Sequence, residues 1–258
     1  METEEVRKVQ NEMTSFWRAK PDPVIENMLL DEKARDLSVE EMPEILSILP
    51  SWDGRDVVEL GAGIGRFTGV FARSASHVVA VDFMEEYVAR NKLDNAKFTN
   101  IEYHCVDATK LRLEENKFDL IFSNWLLMYL HDDAARELLA RKLSWLRDGG
   151  HLFIRESCGY PSGNLAGDSN PTIYRDADDY TALFNNTRLQ DGEGGEVKGF
   201  EILTSKPLQC YIKISGACPF RTSGLASGSH GQCSNSTLPP CNVRRSLGAA
   251  AKVEHRPT

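Results

Sequence analysis

Three glycines at alternate positions, directly after an apolar run, constrain this chain more than any other feature. The apolar run Val57–Leu60 predicts a buried strand, and Gly61, Gly63 and Gly65 follow it. Glycine lets a backbone turn sharply and approach a ligand closely, because it has no Cβ in the way. A helix predicted after the glycines would direct its free N–H groups at that ligand. This order of elements is typical of a cofactor-binding loop in a doubly wound α/β domain.

The spacing of the glycines separates the classes of cofactor. A dinucleotide-binding loop has the pattern G-x-G-x-x-G, but its sixth position here is Arg66. The G-K-[ST] ending of a phosphate-binding loop is also missing. Glu59 stands two residues before the first glycine, and the resulting E-x-G-x-G-x-G string resembles motif I of the class I methyltransferases, which bind S-adenosylmethionine. A glycine-rich turn without a ligand is the alternative interpretation.

Apolar strand patterns alternate with helical patterns through the middle of the chain. Seven strands are predicted, at 56–60, 77–82, 100–106, 117–123, 151–155, 199–203 and 208–214. Helices are predicted between them, at 67–73, 85–93 and 132–146. Such alternation favours a mostly parallel sheet with helices on both faces. The predicted fold class is therefore α/β, with the seven-stranded Rossmann-like sheet of a class I methyltransferase.

The two ends of the chain differ in composition from its middle. Residues 1–37 carry apolar residues at helical spacing, which predicts a helical arm that either packs on the domain or forms a lid over the cofactor site. Residues 38–214 form the predicted methyltransferase domain. Residues 215–258 are rich in Ser, Gly, Pro and Cys without an apolar period, which predicts a disordered tail that takes no part in catalysis.

Charge and hydropathy narrow the possible function classes. The net charge of −8 argues against a nucleic-acid-binding protein, which normally carries a basic face. Apolar runs are far shorter than the roughly 20 residues of a membrane span, and the charged N-terminus lacks the apolar core of a secretory signal. The six cysteines form no C-x-x-C pair. The sequence predicts a cytoplasmic protein with no metal site, no nucleic-acid partner and no membrane partner.

Acidic and polar residues follow the predicted strands at the edge where such sheets bind ligands. Asp82 ends the second strand, where its carboxylate can accept hydrogen bonds from both ribose hydroxyls of an adenosine. Asp107 follows the third strand and is placed to meet the adenine amino group. Each acid alone is also explained as a turn residue or a helix cap. The predicted cofactor-binding residues are Gly61, Gly63, Ile64, Gly65, Asp82, Phe83, Asp107, Ala108, Ser123 and Asn124.

Longer strings of residues carry a narrower resemblance. They are FSNWLLMYL at 122–130, WLRDGG at 145–150, RESC at 155–158 and NPTIYR at 170–175. With the glycine loop, they resemble the phosphoethanolamine N-methyltransferases of plants and nematodes, in particular the domain that performs the first methylation. The resemblance covers approximately residues 10–213. It implies methyl transfer from S-adenosylmethionine to the amine of phosphoethanolamine, a step towards phosphocholine and phosphatidylcholine.

The resemblance also implies roles for residues near the substrate. A phosphate needs cationic and hydroxyl donors, and the predicted substrate-binding residues are Trp17, Arg155, Tyr174, Arg175 and Tyr180.

The amine must lose a proton before it can attack a methyl group, and the protist relatives use a tyrosine–histidine pair for this. The histidine position of that pair corresponds here to Tyr129. His131 lies two residues further on and does not share a helix face with Tyr129. The predicted catalytic residues are therefore Tyr129 and, as second choice, His131.

The resemblance leaves two other functions open. Plant relatives carry a second methyltransferase domain, which implies a separate methyltransferase acting on the product as a partner of this chain. One alternative function is a class I methyltransferase of another small metabolite, because a fold alone does not specify a substrate. The other is a catalytically silent protein that binds S-adenosylmethionine and works with another subunit.

Overall fold

A parallel five-stranded sheet carries the glycine loop. The computed structural model describes residues 4–159, 170–190, 197–211 and 246–256, the last of these by their backbone alone. The five strands are β1 Asp56–Leu60, β2 His77–Asp82, β3 Ile101–Cys105, β4 Phe118–Asn124 and β5 Leu146–Ser157. They lie in the order β3-β2-β1-β4-β5, and every neighbouring pair is parallel. The prediction of a parallel α/β sheet is confirmed for this part of the chain.

Helices cover both faces of the sheet, as predicted. They are α1 Glu4–Arg18, α2 Ile25–Leu29, α3 Ala34–Leu46, α4 Thr68–Phe71, α5 Glu85–Asp94, α6 Asp132–Trp145 and α7 Ala177–Asn186, with a 3₁₀ turn at Leu127–Tyr129. Successive side chains of a strand point to opposite faces. Val58 of β1 accordingly packs in one apolar cluster with Leu139 of α6 and Phe184 of α7. Val57 packs in another cluster, with Phe71 of α4.

An antiparallel extension continues the sheet beyond β5. Its strands are β6 Arg188–Gln190, β7 Val197–Pro207 and β8 Ser246–Arg256. β8 lies between β5 and β7 and is antiparallel to both, and β6 pairs antiparallel with the outer side of β7. The sheet therefore has eight strands among the described residues, one more than predicted.

The strand predicted at 208–214 is wrong over its described residues. β7 runs to Pro207, well past the predicted end at residue 203, and residues 209–211 are helical. Leu208 and Tyr211 are buried in the cluster that also contains Leu37 of α3. Residues 212–214 lie outside the described residues. A short apolar run does not distinguish a strand from a buried helical turn by its periodicity, which explains the error.

The prediction of a disordered tail at 215–258 is wrong for Ser246–Arg256, which form β8. Residues 215–245 and 257–258 lie outside the described residues. The alanine-rich sequence of β8 has little intrinsic preference for a strand, so sequence patterns gave no signal for it. Pairing on both sides supplies partners for the backbone groups that β5 and β7 would otherwise present as sheet edges.

Both predicted domain boundaries differ from the structure. The sheet extends to residue 256 rather than ending at residue 214, and α3 spans the predicted boundary between residues 37 and 38. The arm and the sheet domain therefore share a helix. Within the described part of the chain, none of the helices combines the length and the apolar composition that a membrane crossing requires.

The position of β8 predicts that the tail contributes to stability. A chain truncated after Arg245 loses the strand between β5 and β7, and we expect its melting temperature to fall by about 10 °C or more. A chain truncated after Arg256 keeps β8 and serves as the control, with an unchanged melting temperature. Thermal unfolding followed by circular dichroism measures both, and equal melting temperatures would contradict the placement of β8.

Candidate active site

The glycine loop lies at the carboxyl edge of the sheet, beside the end of β2. Gly61 and Gly63 have positive φ angles of 71° and 55°, a region that side chains with a Cβ avoid. The N–H groups of Gly61 and Ala62 both donate to the carbonyl oxygen of Val81, each at 2.9 Å. These hydrogen bonds hold the loop against β2, and the loop forms one wall of a cavity.

The cavity extends from the glycine loop, past the ends of β2 to β4, to the N-terminal arm. It encloses about 1110 Å³ of empty space, part of which is open to solvent. Its wall is mostly apolar with a few polar groups, the usual composition of a small-molecule site. The predicted residues that line it are Trp17, Gly61, Gly63, Asp82, Phe83, Asp107, Ala108, Asn124 and Tyr129.

Asp82 fixes the conformation of the glycine loop. One carboxylate oxygen accepts the N–H of Gly63 at 2.8 Å, and the other accepts the N–H of Met84 at 2.9 Å. Burial raises the pKa of Asp82, and these backbone hydrogen bonds oppose the shift. Each oxygen of a carboxylate can accept about two hydrogen bonds, so Asp82 keeps acceptor capacity for a ligand in the cavity.

Asp107 joins the N-terminal arm to the end of β3. Its carboxylate accepts the N–H and the hydroxyl of Thr109, at 2.8 and 2.7 Å. It also accepts a hydrogen bond from the side-chain amide of Gln10 in α1, at 2.6 Å. Asp107 is therefore both a turn residue, the simpler alternative, and an acceptor on the cavity wall.

The arm covers the cavity rather than packing elsewhere on the domain. Met13 and Trp17 of α1 and Met28 of α2 line the cavity. The thioether of Met28 lies against the glycine loop, where the N–H of Ile64 approaches its sulfur at 3.5 Å. A Cβ at Gly63 would collide with the Met28 side chain. The arm therefore packs on the domain and at the same time contributes part of the cavity wall.

Glu59 is a buried acid beneath the glycine loop. It is 2% exposed, and its carboxylate accepts a hydrogen bond from the Thr68 hydroxyl. Burial raises the pKa of Glu59 from an ordinary 4.5 to about 8, opposed by the Thr68 hydrogen bond and reinforced by the charge of Asp82. Near neutral pH this acid is mostly protonated.

Tyr129 projects into the cavity from the 3₁₀ turn. Its ring meets the indole of Trp17 edge to face, with ring centroids 5.3 Å apart. Burial raises the pKa of Tyr129 far above its usual value, so the hydroxyl carries its proton at neutral pH. The side chain can therefore orient a substrate by hydrogen bonding, and it does not supply a free phenolate.

Three predicted cofactor residues lie behind the cavity wall. Gly65 packs against Asn91 and Asn95, which leave no space for a Cβ. Ser123 is fully buried in β4. Ile64 belongs to the apolar cluster around Met13 and Trp17. None of Ile64, Gly65 and Ser123 is among the residues that line the cavity.

Arg155 was predicted to bind phosphate, but the structure buries its side chain completely. Its guanidinium lies 2.9 Å from the buried carboxylate of Glu41 and 3.6 Å from the centre of the Trp125 indole ring. It also donates to the side-chain oxygen of Asn124 at 3.1 Å. Arg155 therefore supports Asn124 and Trp125 of the cavity wall from behind and does not itself line the cavity.

Arg175 was the second predicted phosphate ligand, and it too is committed within the protein. It is 5% exposed, and its donors contact the carbonyl oxygens of Leu127 and Leu130 and the carboxylate of Asp132. Tyr180 is buried in the apolar cluster of α6 and α7, away from the cavity wall.

Tyr174 and His131 lie at the periphery of the cavity. Tyr174 packs against the apolar cluster that contains Trp17 and Tyr129. His131 is the N-cap of α6 and lines an adjoining, second cavity. A ring nitrogen of His131 accepts the N–H of Asp133 at 3.4 Å, so His131 caps this helix.

Sequence patterns missed several residues of the cavity wall. Gln10, Met28, Arg66 and Trp125 line it, and none belongs to a spacing that marks a ligand contact. The sequence identified Arg66 only as the residue that breaks the dinucleotide-binding pattern, and not as a cavity residue. Within the described residues, no group of three or more His, Cys, Asp or Glu side chains is arranged to hold a metal ion.

Comparisons with known proteins place this fold in a family. Residues 57–150 match a family model described as a methyltransferase domain. The chain is 45% identical to phosphoethanolamine N-methyltransferase 1 of Triticum aestivum and 37% identical to that of Caenorhabditis elegans. These alignments cover 80% and 78% of this chain, and 42% and 44% of the relatives.

A solved structure gives the same result. Haemonchus contortus phosphoethanolamine N-methyltransferase 1, in complex with phosphoethanolamine and S-adenosylhomocysteine, matches with a TM-score of 0.82 at 32% identity. The match covers 97% of this chain and 50% of that one.

The sheet order, the helices on both faces and the glycine loop define a class I methyltransferase fold. By sequence, the chain is a relative of the phosphoethanolamine N-methyltransferases, so the resemblance predicted from its motifs is confirmed. It spans about two fifths of the length of the curated relatives it matches.

Glu59 predicts a specific pH dependence of stability. Because its pKa is about 8 in the folded chain against an ordinary 4.5, the folded chain keeps a proton that the unfolded chain releases in this window. The contribution of Glu59 is present below pH 4.5 and is lost as the pH rises towards 8, by up to about 1.4 kcal/mol per pH unit. Glu59→Gln should lack this loss.

Urea unfolding of the wild type and Glu59→Gln across this window measures the difference. Replacement of the exposed Glu114 by Gln is the control and should follow the wild type. A constant difference between wild type and Glu59→Gln would show that the buried acid is ionised throughout.

Proposed function

We propose that the chain transfers a methyl group from S-adenosylmethionine to the amine of phosphoethanolamine. The observation that carries the proposal is the cavity at the glycine loop, where the carboxylates of Asp82 and Asp107 follow neighbouring strands. Support comes from the Haemonchus contortus enzyme, which resembles 97% of this chain and binds phosphoethanolamine together with S-adenosylhomocysteine.

The residues of the cavity fit an adenosine. Asp82 keeps acceptor capacity for ribose hydroxyls, and Asp107 offers acceptor oxygens for an adenine amino group. Phe83 and Ala108 add apolar surface beside these acids. S-adenosylmethionine supplies a methyl group on a positively charged sulfur, and the protein has to position the amine in line with it.

The amine has to lose a proton before it can attack. An alkylammonium has a pKa of roughly 10 in water, and a mostly apolar cavity lowers this value because burial disfavours the charged form. Tyr129 is neutral, so we assign its hydroxyl to orienting the amine rather than to removing the proton as a phenolate. Trp17 and Tyr174, which pack near Tyr129, are proposed to contact the substrate.

The phosphate is proposed to lie towards the second cavity. This cavity shares Gln10 and Tyr129 with the main one and is lined by Lys110 and His131. Arg155 and Arg175 are engaged elsewhere, and among the described residues that line the second cavity Lys110 is the one lysine or arginine. Acidic residues also line the second cavity, so its cationic group would attract a phosphate only at short range.

One observation favours a second candidate, methyl transfer to another small amine. Among the described residues that line the main cavity, Arg66 is the one arginine or lysine, and its guanidinium is paired with Glu41. A substrate without phosphate would fit this cavity. A silent cofactor-binding protein is the third outcome that an assay has to separate.

The proposal includes a setting for the reaction. We place it in the cytoplasm, on a small-molecule substrate and without a nucleic-acid or membrane partner, in keeping with the net charge of −8. A single methylation is proposed, so that a separate methyltransferase would act on the product.

Replacement of Asp82 should remove cofactor binding. Asp82→Ala deletes the acceptor for the ribose and for the N–H of Gly63, and we expect S-adenosylmethionine to bind at least about 100-fold more weakly in calorimetry. Asp119→Ala is the control, because Asp119 accepts a backbone N–H from Asp56 at the other edge of the sheet. Binding of Asp82→Ala within threefold of wild type would refute the ribose assignment.

An assay with labelled S-adenosylmethionine tests the proposed reaction. Phosphoethanolamine should accept one methyl group, and ethanolamine should react at least about 100-fold more slowly, since a site that pairs a phosphate rejects an analogue lacking it. Mass spectrometry of the products counts the methyl groups.

Each alternative has its own result in this assay. Equal turnover of ethanolamine would support the second candidate. Cofactor binding without methyl transfer to any amine would indicate the silent protein, and phosphocholine as product would refute single methylation.

A further inference from the structure

The turn that carries Tyr129 is held at its N-terminal side by a buried carboxylate. Glu156, at the end of β5, accepts the N–H groups of three successive residues. Its Oε1 lies 3.2 Å from the nitrogen of Leu126 and 2.8 Å from that of Leu127, and its Oε2 lies 3.2 Å from that of Met128. These N–H groups have no partner within so short a turn, and Glu156 supplies one.

The same turn is held at its C-terminal side by Arg175. The guanidinium donates to the carbonyl oxygen of Leu127 at 2.8 Å and to that of Leu130 at 2.6 Å. The Asp132 carboxylate accepts from the same guanidinium at 2.9 and 2.7 Å, which fixes its orientation. The Glu156 carboxylate therefore binds the N–H groups of the turn, and the Arg175 guanidinium binds its carbonyl oxygens.

Burial makes both contacts strong. Glu156 is 1% exposed and Arg175 is 5% exposed, so water hardly competes for their hydrogen bonds. Burial raises the pKa of Glu156, while the three N–H groups and the charge of Lys142 oppose the shift. Lys142, in α6, is itself fully buried; burial lowers its pKa to about 7, and the charge of Glu156 opposes that shift.

A turn of three residues has little stability of its own, because it closes few hydrogen bonds of its own. We infer that Glu156 and Arg175 are positioning residues that act through this turn to hold Tyr129 at the cavity. The inference rests on the proposed function insofar as Tyr129 orients the substrate amine. It assigns Arg175 a role different from phosphate binding.

A double-mutant cycle on turnover tests the inference. Glu156→Gln should lower kcat by about 10-fold or more, because a displaced side chain loses its alignment. Its affinity for S-adenosylmethionine should stay within threefold of wild type, since the glycine loop is untouched. In a Tyr129→Phe background the same substitution should change the residual kcat by less than threefold. An equal loss in both backgrounds would overturn the inference.

A second pair of variants guards against failure to fold. Glu156→Gln removes the carboxylate whose charge acts on the buried Lys142, so Glu156→Gln combined with Lys142→Met takes away both buried ionisable groups. Arg175→Lys keeps the charge but not the two-pronged geometry, and it should reproduce the loss of kcat. Glu44→Gln is the matched control, because Glu44 accepts two backbone N–H groups at residues 209 and 210 instead.

Hydrogen exchange separates this inference from the proposed function. The amides of Leu127 and Met128 should exchange at least about 10-fold faster in the Glu156 variants than in wild type or Glu44→Gln. Unchanged exchange would overturn the inference whatever the activity. If these amides exchange faster in the Glu156 variants but the protein methylates no amine, the role of Glu156 in holding the turn is supported and only the proposed function is refuted.

Discussion

The site depends on one buried carboxylate, that of Glu41 in α3. It accepts the Tyr211 hydroxyl at 2.6 Å and faces the guanidinium groups of Arg66 and Arg155. Burial alone would raise the pKa of Glu41, but the two arginines and Tyr211 hold it below its ordinary value. Removing Glu41 would leave the guanidinium groups of Arg66 and Arg155 without their shared carboxylate, and an uncompensated buried charge is strongly destabilising. Through this cluster, α3 fixes the residue after the glycine loop and, by way of Arg155, the position of Asn124.

The sequence predicted best those elements whose structure is determined by residues close together in the chain. Strand β1, the glycines and Asp82 follow one another within a short stretch, and each residue type has a conformational reason at its position. The two arginines show the opposite case. Sequence identifies Arg155 and Arg175 as donors, but their acceptors include Glu41 and the turn carbonyls, which lie far away along the chain. Strand β8 was missed because its place in the sheet, rather than its own composition, accounts for it.

The contacts of the arm bear on how a ligand would enter. Gln10 donates an amide hydrogen bond to Asp107, and an adenine amino group would present the same kind of donor to the same carboxylate. Met28 meanwhile lies on the glycine loop. A ligand that uses both regions has to share or replace these arm contacts, so binding and the position of the arm are thermodynamically linked. The position of the arm therefore affects the affinity for the ligand, in addition to covering the cavity.

Two carboxylates at the site, those of Asp82 and Glu156, hold backbone N–H groups in place. Asp82 accepts the N–H of Gly63, and Glu156 accepts the N–H groups of the turn before Tyr129. Asp82 lines the cavity and Glu156 lies behind its wall, so two carboxylates stand close to the cavity. An anionic substrate gains nothing from that charge, so its recognition has to come from a few cations placed close to it. The same reasoning explains why the buried arginines cannot serve the substrate. Each already neutralises a carboxylate on which the shape of the site depends.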